Sequence, residues 1–313
     1  MAHARPFRFG VTAHTATSGD GLRSLSRKVE DLGFATLVVP DHFGDQLALM
    51  PALATVLEST SRLRVGALVA CNDFRHPVVY AKELATLDLL SGGRVDWGIG
   101  AGWLAPEYKS AGIPFDRAGV RVDRMIEAVA VMKGLFGSEV TSYSGAHYTV
   151  RELDGQPKPV QQPHPPLLVG ASQKRMLTFA GHEADIVGVV PAGAGRQSPT
   201  SDGPRPTVEE AVDLQIGWVR AAAGDRFAAI ELNMVAYPAL ITDDPERSAA
   251  KLAAPMKLDP SEVLASPHVL LGSVERICDT LEARRERWGV SYWVVAAMNL
   301  DALAPVVAHM AGR

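Results

Sequence analysis

Three apolar, β-branched-rich runs open the chain at Phe7 to His14, Ala35 to Phe43 and Leu63 to Asp73, and each is followed by an amphipathic stretch. Their starts at positions 7, 35 and 63 are 28 residues apart, the length of one strand, one helix and two short loops, which predicts a parallel sheet built from βα units. Between the first two runs, Leu22, Leu25, Val29 and Leu32 form a helical stripe that stops at Gly33, a suitable C-cap. A fourth strand reads Arg94 to Gly100, and Met125, Val129, Met132 and Phe136 share one side of the helix after it.

The pattern then becomes irregular. Val140 to Val150, with Tyr143 to His147 between β-formers, predicts a hairpin, and the proline-rich Gln156 to Pro166 follows it. Strand five is Leu167 to Ala171, with a helix from about Gln173 to Gly181, and strand six is about Asp185 to Val190. Positions 191 to 207 are rich in Pro, Gly and Ser and read as a loop over an active site. A helix over Val208 to Ala223, strand seven over about Ile230 to Leu240, a helical insertion from about Pro245 to Leu264, a helix over Val274 to Trp288 and strand eight over Ser291 to Ala297 complete the count. Eight strands predict an α/β fold, a (β/α)8 TIM barrel with insertions after strands 4, 6 and 7, running as a single domain over residues 1–313. An open doubly wound sheet normally carries a glycine fingerprint after its first strand, and Thr12 to Gly21 lacks one.

Composition narrows the partners. A formal charge of −4 from 31 basic and 35 acidic residues gives no footprint for nucleic acid or a membrane surface, so small molecules are the expected partners. No apolar run approaches the roughly 20 residues needed to cross a bilayer. No secretory signal is read near Arg5 and Arg8, and a cytoplasmic location is expected. Cys71 and Cys278 are too far apart for a metal or redox motif, no two histidines have the spacing of a zinc helix, and no metal is expected.

In a barrel, chemistry collects where strands end, which directs attention to His14, Asp41, His42, Asn72, Gly100, Gly102, Trp103, Gly170 to Arg175 and Tyr237. Pro40-Asp41-His42-Phe43 sets a carboxylate beside an imidazole, either a proton-exchanging pair or a helix cap beside a packed ring. Val65 to Asp73 stays small and apolar until Asn72, so it is either a surface for a flat heteroaromatic ring or a plain strand closed by a turn. Gly98, Gly100 and Gly102 imply close approach of a ligand to the backbone. Lys174 and Arg175 in a first helical turn after Gly170-Ala171-Ser172 suit a bound phosphate, or are ordinary surface charge.

Four blocks resemble the luciferase-like flavin- and F420-dependent oxidoreductases over nearly the whole chain. They are Val38 to Phe43; Asn72 to Pro77 leading into Ala81 to Arg94; Gly98 to Trp103; and Gly170 to Ser172 with Ala180 to Asp185. The Asp-His pair is closer to the F420-dependent branch than to the FMN monooxygenases. The resemblance implies that His42 faces the reactive ring of coenzyme F420 as proton donor or stabiliser, and that Asp41 binds the coenzyme. It further implies that Val69, Cys71 and Asn72 back the ring near a non-proline cis peptide within Leu68 to Cys71. Ala101, Gly102, Gly170, Ala171, Ser172 and Lys174 would hold the coenzyme's tail, and His14, Trp103 and Tyr237 the substrate. A homodimer is implied, as is hydride transfer to or from a small organic substrate. The alternatives are an FMN-dependent monooxygenase fed by a separate reductase, and a barrel that binds flavin without turnover. The family's sugar-phosphate dehydrogenases carry a glutamate where this chain has Trp103, so their acid–base pair is not expected here.

Overall fold

The computed structural model describes residues 5–190, 207–256 and 258–313. The loop expected over 191 to 207 lies outside the described residues except for Thr207. In chain order the first part holds β1 (Arg8–Thr12), α1 (Gly19–Asp31), β2 (Thr36–Val39), α2 (Leu49–Ser59), β3 (Arg64–Ala67), β4 (Ala70–Cys71), α3 (Pro77–Ser91), β5 (Val95–Gly100), α4 (Ala105–Ala111) and α5 (Ala118–Phe136). After these come β6 (Thr141–Ser144), β7 (Thr149–Leu153), β8 (Leu167–Ala171), α6 (Lys174–Glu183), β9 (Ile186–Val189), α7 (Val208–Ala223) and β10 (Glu231–Ala236). The chain ends with β11 (Ala239–Ile241), α8 (Pro245–Met256), α9 (Pro260–Ala265), β12 (Leu270–Gly272), α10 (Val274–Trp288), β13 (Val290–Ala296) and α11 (Leu300–Met310).

Contacts divide the chain into two units: the described residues of 1–12, 31–35 and 171–313, and those of 13–30 and 36–170. In the first unit β1, β13, β10 and β9 pair in that order, all parallel, and β11 pairs with β12 beyond them. In the second unit β2 pairs with β3, β3 and β4 both pair with β5, and β5 pairs with β8, again all parallel. The fold class is α/β, a (β/α)8 barrel. Every residue of β5 and β13 is buried, as expected of parallel strands covered by helices. Gly92 closes α3 in the left-handed conformation with its N–H on the carbonyls of Asp88 and Leu89, and Gly33, the expected cap of α1, also has positive φ.

Two expectations change. The third strand is not continuous: β3 and β4 are separated at Leu68 and Val69, joined by a non-proline cis peptide bond. Val65 stands opposite Val95, but Ala70 stands opposite Ile99, so one residue more has been fitted into this side, which is a bulge. The helical insertion expected over Pro245 to Leu264 is two helices, because Asp259 starts a new one with its carboxylate on the Ser261 N–H and Glu262 reaching back as a capping box. The hairpin after α5 is present as β6 and β7, antiparallel. Among the described residues no helix is long and apolar enough to cross a membrane.

Candidate functional site

β2 ends at Val39, and the residues after Pro40 turn in opposite directions. Asp41 is buried and fully engaged. Its Oδ2 accepts the Cys71 N–H at 2.9 Å and Arg75 at 2.6 Å, while its Oδ1 accepts the second Arg75 nitrogen at 2.9 Å. Burial alone would lower the Arg75 pKa, but the hydrogen bond and charge of Asp41 hold it above its ordinary value. A bidentate guanidinium–carboxylate pair with an added backbone donor fixes the start of β4 to the end of β2. The carboxylate that the resemblance assigns to the coenzyme is thus spent on the protein itself.

His42 is half-buried, and its Nδ1 lies 2.9 Å from Oε2 of Glu107, on the first turn of α4. The other carboxylate oxygen of Glu107 accepts the Phe43 N–H. A carboxylate accepts hydrogen bonds, so this contact assigns the imidazole proton to Nδ1 and leaves Nε2 as the nitrogen able to take one up. The Glu107 side chain is only 8% exposed, so its two bonds fix both the ring and the backbone carrying it. Trp103 meets the His42 ring edge-on with centroids 6.0 Å apart. The expectation that the sugar-phosphate dehydrogenases' acid–base pair is not reproduced concerned the position of Trp103 alone. Trp103 does occupy the position after the glycines, but Glu107, four residues further on, is turned back to His42 by α4.

Behind these residues runs a polar chain. The Cys71 thiol lies 3.0 Å from the Tyr108 hydroxyl, which donates to Asp73 at 3.1 Å; Asp73 in turn accepts Arg124 at 2.9 Å, and Arg124 also pairs with Asp116. Burial pushes the Cys71 thiol up to about 11 and raises the Tyr108 hydroxyl well above its usual range. At neutral pH Cys71 is a neutral thiol and no nucleophile. Asn72 is buried, with its amide 3.4 Å from the Tyr148 hydroxyl. Asn72, Asp73, Phe74, Arg75, His76, Arg124 and Tyr148 are among the lining of a cavity of about 460 Å³.

The glycines after β5 answer to the protein's own atoms, which changes their meaning. A Cβ at Gly98 would lie 1.9 Å from the Ala67 carbonyl oxygen, one at Gly100 would lie 2.6 Å from Val69, and one at Gly102 would lie 1.9 Å from the Tyr108 hydroxyl. Gly102 also has φ +75°, which only glycine adopts readily. Gly170 leaves room for Val69 as well, at 3.2 Å from a Cβ. Val69 is therefore propped from below by two glycines, while it remains half-buried itself. The carbonyls of Ala101 and Gly102 accept Arg121 at 3.3 and 3.4 Å.

The second unit thus gathers Asp41, His42, Val69, Cys71, Asn72, Ala101, Gly102, Trp103 and Gly170. His14, also in this unit, is exposed past the end of β1, and its carbonyl accepts the Leu47 N–H. In the first unit, the Ala171 carbonyl accepts the Val190 N–H and the Ser172 carbonyl accepts Gln215 at 2.9 Å. Lys174 is exposed at the first residue of α6, whose N-cap, Gln173, makes no side-chain cap. Tyr237 is exposed one residue past β10, and its N–H donates to the His268 carbonyl. Sequence reasoning missed Arg75 and Glu107 as partners of Asp41 and His42, and Tyr108 beneath Gly102. Arg75 stood within a quoted block; Glu107 carried no local signal beyond its place in a short helix after the glycines. Among the described residues no group of three or more His, Cys, Asp or Glu is arranged to hold a metal ion.

The sequence profile of the family described as luciferase-like monooxygenase matches residues 1–198. Similar curated proteins include an F420-dependent glucose-6-phosphate dehydrogenase of Microbacterium testaceum, 30% identical over 58% of this chain and 55% of its own length. An FMNH2-dependent dimethylsulfone monooxygenase of Pseudomonas putida is 27% identical over 66% of this chain and 53% of its own. The chain spans between half and two thirds of the length of such relatives. Among solved structures, the F420-dependent tetrahydromethanopterin reductase of Methanopyrus kandleri superposes with a TM-score of 0.76 at 17% identity, covering 98% of this chain and 100% of that one. That likeness shows the shared fold. The family match covers well over half of the 313 residues, and the chain belongs to the luciferase-like monooxygenase family.

Proposed function

We propose that the chain is an F420-dependent oxidoreductase that moves a hydride between coenzyme F420 and a small organic substrate. The observation that carries this reading is His42, held through Nδ1 on Glu107 at 2.9 Å with Nε2 left to exchange a proton. Interconverting an alcohol and a carbonyl takes one hydride at carbon and one proton at oxygen. The coenzyme, when bound, supplies or accepts the hydride. In the oxidative direction His42 Nε2 takes the hydroxyl proton as the hydride leaves the carbon, and in the reverse direction it returns that proton. Glu107 keeps the ring oriented and balances the imidazolium charge.

The residues present fit such a coenzyme. Val69 offers a half-buried apolar face, braced against Gly100 and Gly170, to a flat ring. Within the second unit, the backbone at Ala101, Gly102 and Gly170 adjoins that face; within the first unit, taken by itself, Ala171 and Ser172 lead into the uncapped first turn of α6, where exposed Lys174 suits a phosphate. Asp41 enters as the residue that holds Cys71 and Arg75 in place. A homodimer and a cytoplasmic location belong to the same reading. The second reading is FMN-dependent monooxygenation with a partner reductase, favoured by the similarity to the dimethylsulfone enzyme.

Titrating the protein separately with F420 and FMN, with tryptophan fluorescence as the readout, tests the choice, since Trp103 adjoins His42. Tighter binding of F420 is expected. Preference for FMN would replace this reading with the second.

A further inference from the structure

Two large apolar side chains flank His42 in the second unit, and neither is sheltered. Phe43 is 55% exposed, with its ring packed on Phe74 at a centroid distance of 4.3 Å. Trp103 is 67% exposed, with the His42 ring against it. Each is braced by a neighbour and otherwise open, as the wall of a binding site is.

The charges nearby point the same way. In the second unit Arg75 is committed to Asp41, Arg124 to Asp73 and Asp116, and Arg121 to the carbonyls of Ala101, Gly102 and Asp116. A phosphate or carboxylate bound at any of these three guanidiniums would have to compete with those partners, at the cost of leaving a carboxylate or carbonyl unpaired.

From these observations we infer that the substrate is an uncharged organic molecule with an apolar body next to its reacting carbon, packed against Trp103 and Phe43. This rests on the oxidoreductase reading above and gives it a substrate class. The test is calorimetric titration of the full chain, with and without bound F420, using 2-butanone, 2-hexanone and 2-octanone, with glucose 6-phosphate as the anionic control. The dissociation constant is expected to fall about fourfold per added methylene, roughly 16-fold per step of the series. Trp103→Ala and, independently, Phe43→Ala flatten that slope, and Trp103→Phe keeps most of it. Wild-type affinity that does not rise with chain length, or tighter binding of glucose 6-phosphate than of 2-octanone, overturns the inference. If neither F420 nor FMN binds while the ketone slope persists, the substrate class stands and the coenzyme reading falls.

Discussion

Asp41 and His42 are adjacent in the chain and opposite in employment. Among the described residues Asp41 has both oxygens taken by the protein, through three hydrogen bonds, whereas His42 has one nitrogen held and one left over. The difference follows from the direction each side chain takes after β2. One points down against the start of β4 and Arg75, where a buried charge must be paired; the other points toward α4 and the open side of Trp103. A saturated group fixes geometry, and a half-saturated one is free to do chemistry. The sequence pair therefore reads as an anchor beside a working residue, and substitution separates the two.

His42→Ala should remove turnover by about 100- to 10,000-fold, the usual range for a general acid–base group. Its melting temperature should stay close to wild type, because His42 is half-buried and fills no core position. Steady-state kinetics with the coenzyme that binds, beside a thermal melt, checks both halves; a folded variant with full activity would remove His42 from the chemistry and favour the flavin-binding barrel without turnover. Asp41→Ala should do the reverse. Leaving Arg75 buried without its carboxylate should cost about 3 to 5 kcal/mol of stability, measured by chemical denaturation. A variant as stable as wild type but unable to bind F420 would return Asp41 to the role of coenzyme ligand.

Gly102 sharpens the contrast between a residue kept small for a ligand and one kept small for the protein. Gly102→Ala forces a Cβ to within 1.9 Å of the Tyr108 hydroxyl, which is buried and bonded to Cys71 and Asp73, at a backbone φ of +75°. The cost is expected at about 2 to 4 kcal/mol from strain and overpacking together. Denaturation of the coenzyme-free protein reads it directly; loss of coenzyme affinity with unchanged stability would mean that the space belongs to the ligand.

That glycine also marks how far the sequence could be read. The strand and helix periodicities gave the barrel order, since burial on parallel strands and one-sided helices leaves its mark on neighbouring residues. The strand-end positions drew attention to His42, Trp103 and the glycines for the same reason. What the pattern could not carry were partners fixed only in three dimensions. Glu107 is 65 residues from His42, Arg75 is 34 from Asp41, and Tyr108 explains Gly102 only once α4 has turned back. A cis peptide within Leu68 to Cys71 was implied by the family resemblance and not by the residue pattern, because the run from Leu63 to Asp73 is small and apolar up to Asn72, and the extra residue appears only against β5.

His268 offers the last comparison, with His42. Its Nδ1 also lies on an acceptor, the Val235 carbonyl at 2.9 Å, but its Nε2 is buried with no hydrogen-bond partner among the described residues. Burial, with the nearby Arg284 charge adding to it, pushes its pKa down to about 4 despite the Val235 bond. An unfolded histidine titrates near 6.5. Between those two values the unfolded chain binds the proton and the folded one does not, so stability present above pH 6.5 is lost progressively as the pH falls toward 4. At pH 5 the loss from this one residue is about 2 kcal/mol. His268→Gln removes the titration, so denaturation midpoints of wild type and variant, compared at pH 7.5 and pH 5, should converge by about that amount as the pH is lowered. Parallel pH dependences would mean that the proton finds a partner inside the folded protein. His268 would then be, like His42, an imidazole with a nitrogen still in use.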